Sequence, residues 1–182
     1  NLGMFALRCV ELGARKVLAI EAQPVVYTGL MHNVQKFPTI FPMLAAVWDK
    51  NGETVTILNE HVGSKVRGAQ DAVGDKVGTI TLESLVEGVE DDNMVLKLDC
   101  EGSEFNILMG TPVEVIRRFQ FIHIEVHANT NEDPAYQDVE VVRNRLRQCG
   151  FQQVSLIPVL WFNVEGNPER EIGVYVEKWV RV

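Results

Sequence analysis

The stretch Lys16-Val17-Leu18-Ala19-Ile20-Glu21, then Ala22-Gln23 and a helical run from Pro24 to about Gln35, decides the fold. An unbroken apolar run ending on an acid is the pattern of a strand covered on both faces. Proline suits a first helical turn because the N–H it lacks has no intrahelical partner there. The same alternation continues outward. Met4, Leu7 and Val10 recur at helical spacing and Gly13 closes that helix; Met43–Trp48 reads as a further buried strand. The strand Met94–Leu98 leads to helical pieces at Phe105–Met109 and, after Pro112, Val113–Phe119. The strand Phe121–Val126 precedes an amphipathic helix, Tyr136–Cys149, whose stripe is Val139, Val142, Leu146 and Cys149. Leu82–Leu85 reads as a short helix, Thr54–Asn59 as an exposed strand, and His61–Gly78, rich in Gly, Lys and Asp, as a long loop. Val159–Val164 and Ile172–Val180 lie too close in sequence for a crossover helix, so they form an antiparallel pair. The expected fold is α/β: a doubly wound, mostly parallel sheet ending in an antiparallel hairpin. No linker or repeat interrupts it, so residues 1–182 are expected to be a single domain.

Composition bounds the function. The 182 residues carry 17 Lys and Arg against 25 Asp and Glu, a net charge of −8, with 46% apolar and 23% charged residues. This is the composition of a folded globular chain, and its acidity argues against a grip on nucleic-acid backbone. No apolar run approaches the ~20 residues needed to span a bilayer, so no membrane partner is expected. Cys9, Cys100 and Cys149 are too few and too scattered for a disulfide framework or a zinc knuckle, and an odd count suits a reducing compartment, the cytoplasm by default. Oligomeric state is open.

In open α/β sheets ligands bind beyond the carboxyl ends of the strands. Three strand ends carry residues a core would reject. Glu21 can accept hydrogen bonds from a ribose diol, or can simply favour the dipole of the helix opening at Pro24. Leu96-Lys97-Leu98-Asp99-Cys100-Glu101-Gly102-Ser103-Glu104 places Lys97, Asp99 and Glu101 on one face, and Lys97 requires an acidic partner if it is buried. Asp99, Ser103 or Glu104 can also cap the helix that follows. Phe121-Ile122-His123-Ile124-Glu125-Val126-His127 alternates, with His123, Glu125 and His127 on one face. Glu125 and His127 belong at the open end, His123 deeper. If the two strands are neighbours, Asp99 and Glu101 face Glu125 and His127. That group can transfer a proton or hold a divalent cation, with mutual repulsion raising at least one carboxyl pKa. Cys100 points to the opposite face and reads as packed, not nucleophilic.

Several ordered segments, from Asn1 to about Phe151, resemble the FkbM-type family of S-adenosylmethionine-dependent methyltransferases. Asn1-Leu2-Gly3 resembles the end of that family's Asp-x-Gly-Ala-Asn-x-Gly cofactor loop, and Val17–Pro24 its second strand and acid. Asn33 fits the asparagine of the next helix. Ala45-Ala46-Val47-Trp48-Asp49 with Gly52 resembles Ala-x-x-Asp-x-x-Gly, and Thr81–Leu85 resembles Thr-Leu-Asp-x-Leu with Glu83 in place of the aspartate. Lys97–Glu104 matches Lys-x-Asp-x-Glu-Gly-x-Glu, Glu125-Val126-His127 matches Glu-x-His, and Gly150-Phe151 the Gly-aromatic pair.

The resemblance implies a Rossmann-like, class I methyltransferase domain and methyl transfer from S-adenosylmethionine, usually to a hydroxyl on a sugar or small metabolite. It implies that Asn1 and Gly3 border the cofactor's amino-acid portion, Glu21 its ribose, and Ala45 and Ala46 its adenine. Asp99 would sit beside the methionine end or the acceptor, while Glu101, Glu125 and His127 position and deprotonate the acceptor. No metal is assigned. It also implies that the first strand and the start of the cofactor loop are missing upstream of Asn1, so that these residues alone bind the cofactor weakly and an extended chain binds it. The alternatives are a metal-dependent hydrolase built on Asp99, Glu101, Glu125 and His127, and a non-catalytic nucleoside-binding module.

Overall fold

The computed structural model describes residues 2–59, 64–67, 74–90, 93–128, 138–164 and 167–182, which form two compact units, Asn1–Ile80 and Thr81–Val182.

In the first unit, helix α1 (Met4–Glu11) leads to β1 (Val17–Glu21), α2 (Pro24–Val34) and β2 (Ile40–Leu44). β1 and β2 pair in parallel, from Val17 opposite Ile40 to Glu21 opposite Leu44, with α2 as the connection that parallel strands require. The strand–helix reading of Lys16–Gln35 thus describes the molecule. Ala6, Leu30, Val34 and Ile40 are buried together, with Leu7, Val10, Val17, Ala19 and Tyr27 packed against them. The expected strand Met43–Trp48 is broken at Ala45 into the end of β2 and a separate β3 (Ala46–Trp48). β3 joins β4 (Thr54–Asn59), β5 (Ser64–Arg67) and β6 (Asp75–Thr81) in a sheet ordered β3-β6-β4-β5. Its small core is Ala46, Val55, Ile57 and Val77, with Ala22 against it.

The expected loop His61–Gly78 is in part strand, and its residues 61–63 and 68–73 lie outside the described residues. Ser64–Arg67 pairs antiparallel with Thr56–Asn59, and Asp75–Gly78 pairs antiparallel with Thr54–Ile57. Backbone ladder bonds impose the strands on polar sequence whose composition reads as loop. Gly74 permits one close approach, since a Cβ there would lie 2.4 Å from the Ile57 carbonyl oxygen.

The second unit runs α3 (Leu82–Val86), β7 (Met94–Leu98), α4 (Glu104–Gly110), α5 (Val113–Ile116), β8 (Phe119–Ala128), α6 (Val139–Gln148), β9 (Phe151–Val164) and β10 (Asn167–Arg181). The sheet order is β7-β8-β10-β9. β7 and β8 are parallel, and β10 is antiparallel to both β8 and β9. Consecutive motif strands are thus neighbours, with Lys97 opposite His123 and Leu98 opposite Ile124. Ile122, Ile124 and Val126 are fully buried, while His123 and Glu125 between them are only partly covered. Phe105, Ile107 and Leu108 of α4, Val142 and Leu146 of α6, and Trp179 of β10 are buried as well. The closing hairpin is antiparallel as expected but longer than Val159–Val164 and Ile172–Val180. Its start, Gln152-Gln153-Val154-Ser155, polar but for the valine, is accommodated on an outer strand with register shifts at Val174/Tyr175 and Lys178/Trp179.

Arginines secure the short helices. Arg118 donates to the Val86 and Val89 carbonyls at the end of α3, and Arg145 to those of Leu108 and Thr111 after α4. On β10 the wholly buried Glu177 receives Arg143 Nη2 at 2.6 Å and Trp179 Nε1 at 2.9 Å. Among the described residues no helix is long and apolar enough to cross a membrane.

Candidate active site

The second unit gathers four of the residues singled out from sequence. β7 ends at Leu98, and the chain continues through Asp99 and Cys100 into a tight turn. Lys97 Nζ lies 2.7 Å from Asp99 Oδ2, the acidic partner that a half-buried lysine requires. Glu101 has φ 53° and Gly102 φ 101°, and Glu101 is the one non-glycine residue with positive φ among those described. Such a conformation costs about 1–3 kcal/mol and must be held by its surroundings.

The holder is Glu104. Its wholly buried carboxylate accepts the Cys100 N–H at Oε1 (2.6 Å) and the Gly102 N–H at Oε2 (2.9 Å). The helix cap expected of Asp99, Ser103 or Glu104 is not what forms. Ser103 stands at the cap position with no side-chain cap bond, and Glu104 serves the turn in front of the helix.

β8 supplies the opposite wall. The His127 ring is buried, with Nδ1 3.2 Å from Glu104 Oε1 and Nε2 3.4 Å from Glu101 Oε2 and 3.8 Å from Glu125 Oε1. Burial pushes its pKa down, but the Glu104 hydrogen bond and the charges of Glu104, Glu101 and Glu125 together outweigh burial and raise it to about 9. At neutral pH the ring is an imidazolium. Glu125 is raised above the ordinary carboxylate range by burial and by Asp99, against the pull of His127 and Lys97. His123, deeper on the same face, is lowered by burial and by Lys97 and Lys178, so it stays neutral. Burial, then the Glu104 charge, pushes Cys100 up to about 12, which removes it as a nucleophile.

Donor atoms of Asp99, Glu101 and His127 lie within 4.8 Å of one another, a spacing one cation could span. While His127 holds both ring protons, however, it offers no lone pair to a metal.

The remaining residues belong to the first unit. Glu21 ends β1; its Oε1 accepts the Gln23 N–H at 3.0 Å, and its backbone oxygen accepts the Ala45 N–H at 3.1 Å. Gly3 caps α1 at φ 86°, and a Cβ there would meet Leu30 Cδ1 at 2.8 Å. Asn33 Nδ2 donates to the Leu2 carbonyl at 2.9 Å, tying α2 to the residue before that glycine. Ala45 and Ala46 are buried, Ala46 within the small β3-β6-β4 core. Asn1 lies outside the described residues.

Sequence reasoning missed Glu104 as an organiser of this site. Its signal was present, as the last acid of Lys97–Glu104, but proximity to α4 made it read as a cap.

Comparison with known proteins follows the same lines. No curated protein matches the chain. Among solved structures, a Pyrococcus horikoshii protein inferred to be an RNA methyltransferase is 12% identical, with 100% of this chain and 70% of that one covered at a TM-score of 0.48. A Streptococcus agalactiae protein of the NADB-Rossmann superfamily is 13% identical, covering 100% and 60% at 0.50. A precorrin-6y C5,15-methyltransferase from Geobacter metallireducens is 13% identical, covering 92% and 68% at 0.42. At such identity the likeness speaks to fold alone, and the fold is Rossmann-like, with parallel β1-β2 and β7-β8 pairs and the antiparallel closing hairpin. The family model described as the methyltransferase FkbM domain matches residues 4–152, a span containing Glu21, the Lys97–Glu104 turn and the Glu125/His127 strand end. With that match over most of its length, the chain belongs to the FkbM family of methyltransferases.

Proposed function

We propose that the protein transfers a methyl group from S-adenosylmethionine to a hydroxyl oxygen of a small acceptor, a sugar or a similar metabolite, in the reducing cytoplasm. The observation that carries this reading is the half-buried Glu125 carboxylate, raised in pKa and grouped with Asp99, Glu101 and a charged His127.

S-adenosylmethionine, when bound, supplies an electrophilic methyl carried on a sulfonium. In the first unit Glu21 is assigned to the ribose hydroxyls, Ala45 and Ala46 to the adenine, and Asn1 and Gly3 to the amino-acid portion. In the second unit Asp99, held by Lys97, is assigned to the methionine end or the acceptor. An alcohol is a weak nucleophile until its proton is removed, and Glu125 is the group suited to accept it. Burial keeps that carboxyl's proton affinity closer to neutral pH than an exposed acid's. His127 already holds its proton, so its role is to set a positive charge 3.4 Å from Glu101 and 3.8 Å from Glu125 and keep their charges compatible. With the cofactor held by these residues, the chain's own part in methyl transfer would be to align the acceptor oxygen with the methyl group and to take the hydroxyl proton on Glu125. The net charge of −8 supports a small acceptor over a nucleic acid.

Calorimetric titration of the full-length protein with S-adenosylmethionine, and separately with Mg2+ and Mn2+, tests this. The expected result is saturable binding of the nucleoside, weakened about tenfold or more in Glu21→Gln through loss of charge-assisted hydrogen bonds. Binding of the metals with no response to S-adenosylmethionine would turn the reading to a metal-dependent hydrolase.

A further inference from the structure

In the second unit Glu104 carries an unusual load for a residue assigned no contact with ligand. It is wholly buried at the first residue of α4, yet its two carboxylate oxygens receive three donors from outside that helix: the N–H groups of Cys100 and Gly102, and His127 Nδ1. A buried anion without partners costs several kcal/mol, so the three donors and the carboxylate hold one another in place. We infer that Glu104 is the positioning residue of this site, its carboxylate fixing at once the turn that presents Glu101 and the ring orientation that presents His127 Nε2 to Glu101 and Glu125. This rests on the methyl-transfer reading only for the use to which the geometry is put.

Two independent features converge on it. The first is the turn. The two N–H groups that point to Glu104 flank Glu101, the residue in a left-handed backbone at φ 53°. Successive amides converging on one anion form a nest, which stabilises a backbone a carboxylate-bearing side chain would otherwise leave. Without the anion, Glu101 has no reason to stay 3.4 Å from the imidazole. The second is the ring. An imidazole whose Nδ1 is held by a buried carboxylate has one orientation and a proton fixed on Nδ1, the logic by which outer carboxylates orient histidines elsewhere. The charged groups that face the ring include Glu104 from α4, Glu101 and Asp99 from the turn, and Glu125 from its own strand. Glu104 alone among them is both wholly buried and at hydrogen-bond distance. The elevation of His127 to about 9, with Glu104 the leading favourable cause, agrees with this ranking.

A purely structural Glu104 would alter stability and nothing specific at the ring, so the test reads the ring directly. In 15N-labelled full-length protein at pH 7.5, both ring nitrogens of wild-type His127 should carry the imidazolium signature. In Glu104→Gln the ring should become neutral at the same pH. The amides of Cys100 and Gly102 should also exchange about tenfold faster or more, the factor that loss of a charge-assisted hydrogen bond corresponds to. Glu125→Gln, by contrast, should leave the ring charged. A ring that stays imidazolium in Glu104→Gln with unchanged amide exchange would overturn the inference. Should that variant not fold, Cys100 and Gly102 amides that exchange in the wild type at the rate of unprotected amides would overturn it equally. Neither readout uses cofactor or acceptor, so their failure is separable from failure of the methyl-transfer reading.

Discussion

Alkaline pH should remove a specific portion of this protein's stability, and the geometry says how much and where. The perturbation is deprotonation of His127, whose pKa is raised from an ordinary 6.5 to about 9 by Glu104, Glu101 and Glu125 acting against burial. A folded-state pKa above the unfolded one stabilises the fold when the group is charged in both states. That contribution is complete below pH 6.5 and is lost as pH rises through about 9. At roughly 1.4 kcal/mol for each pH unit between the two pKa values, it comes to about 3 kcal/mol. Solvent screening removes little of it, since the ring is 6% exposed and Glu104 is 0%. The assay is urea denaturation of wild type and His127→Asn at intervals from pH 6 to pH 10, taking the difference between them. Lysine and tyrosine titrations, common to both proteins, cancel in that difference. Wild type should lead by most at pH 6, with the lead shrinking by about 3 kcal/mol by pH 10. A difference that stays flat across this range would refute the claim that His127 is held as an imidazolium by buried carboxylates.

Two further outcomes follow from groups that take no part in the proton transfer. Arg143→Met strands the buried Glu177 carboxylate beside Trp179 Nε1 without its cationic partner, and should lower the unfolding free energy by about 3–5 kcal/mol in urea titration; a loss under about 1 kcal/mol would mean the pair is not desolvated. Cys100, pushed up to about 12, should alkylate with iodoacetamide at pH 8 about a thousandfold slower than a free thiol, followed site by site by peptide mass spectrometry. Labelling at a free-thiol rate would contradict the burial of that sulfur.

What the sequence made legible was local. The apolar–polar alternation of Phe121–His127 fixes which side chains share a face because a strand's period is two, and the neighbouring strand Met94–Leu98 then brings Asp99 to the same rim. Pro24 marks its helix start for the equally local reason that proline lacks the donor a first turn does not use. What stayed hidden depended on partners distant in the chain. Ser64–Arg67 and the first half of β9 are strands because another strand lies beside them, not because their residues favour it. Glu104 was misread for the same reason. A carboxylate at a helix start satisfies local capping rules, and only the fold reveals that it faces the turn behind it and a histidine 23 residues onward.

The central claim is that the carboxylates gathered at the β7 and β8 ends deprotonate an alcohol for methyl transfer. It is tested most directly by incubating the full-length protein with methyl-labelled S-adenosylmethionine and a panel of hydroxylated sugars and small metabolites, with methyl ethers followed by mass spectrometry. The account predicts a labelled ether from wild type and a rate about 100-fold lower or more in Glu125→Gln, the usual contribution of a positioned base. An ether formed as fast by Glu125→Gln as by wild type would contradict it.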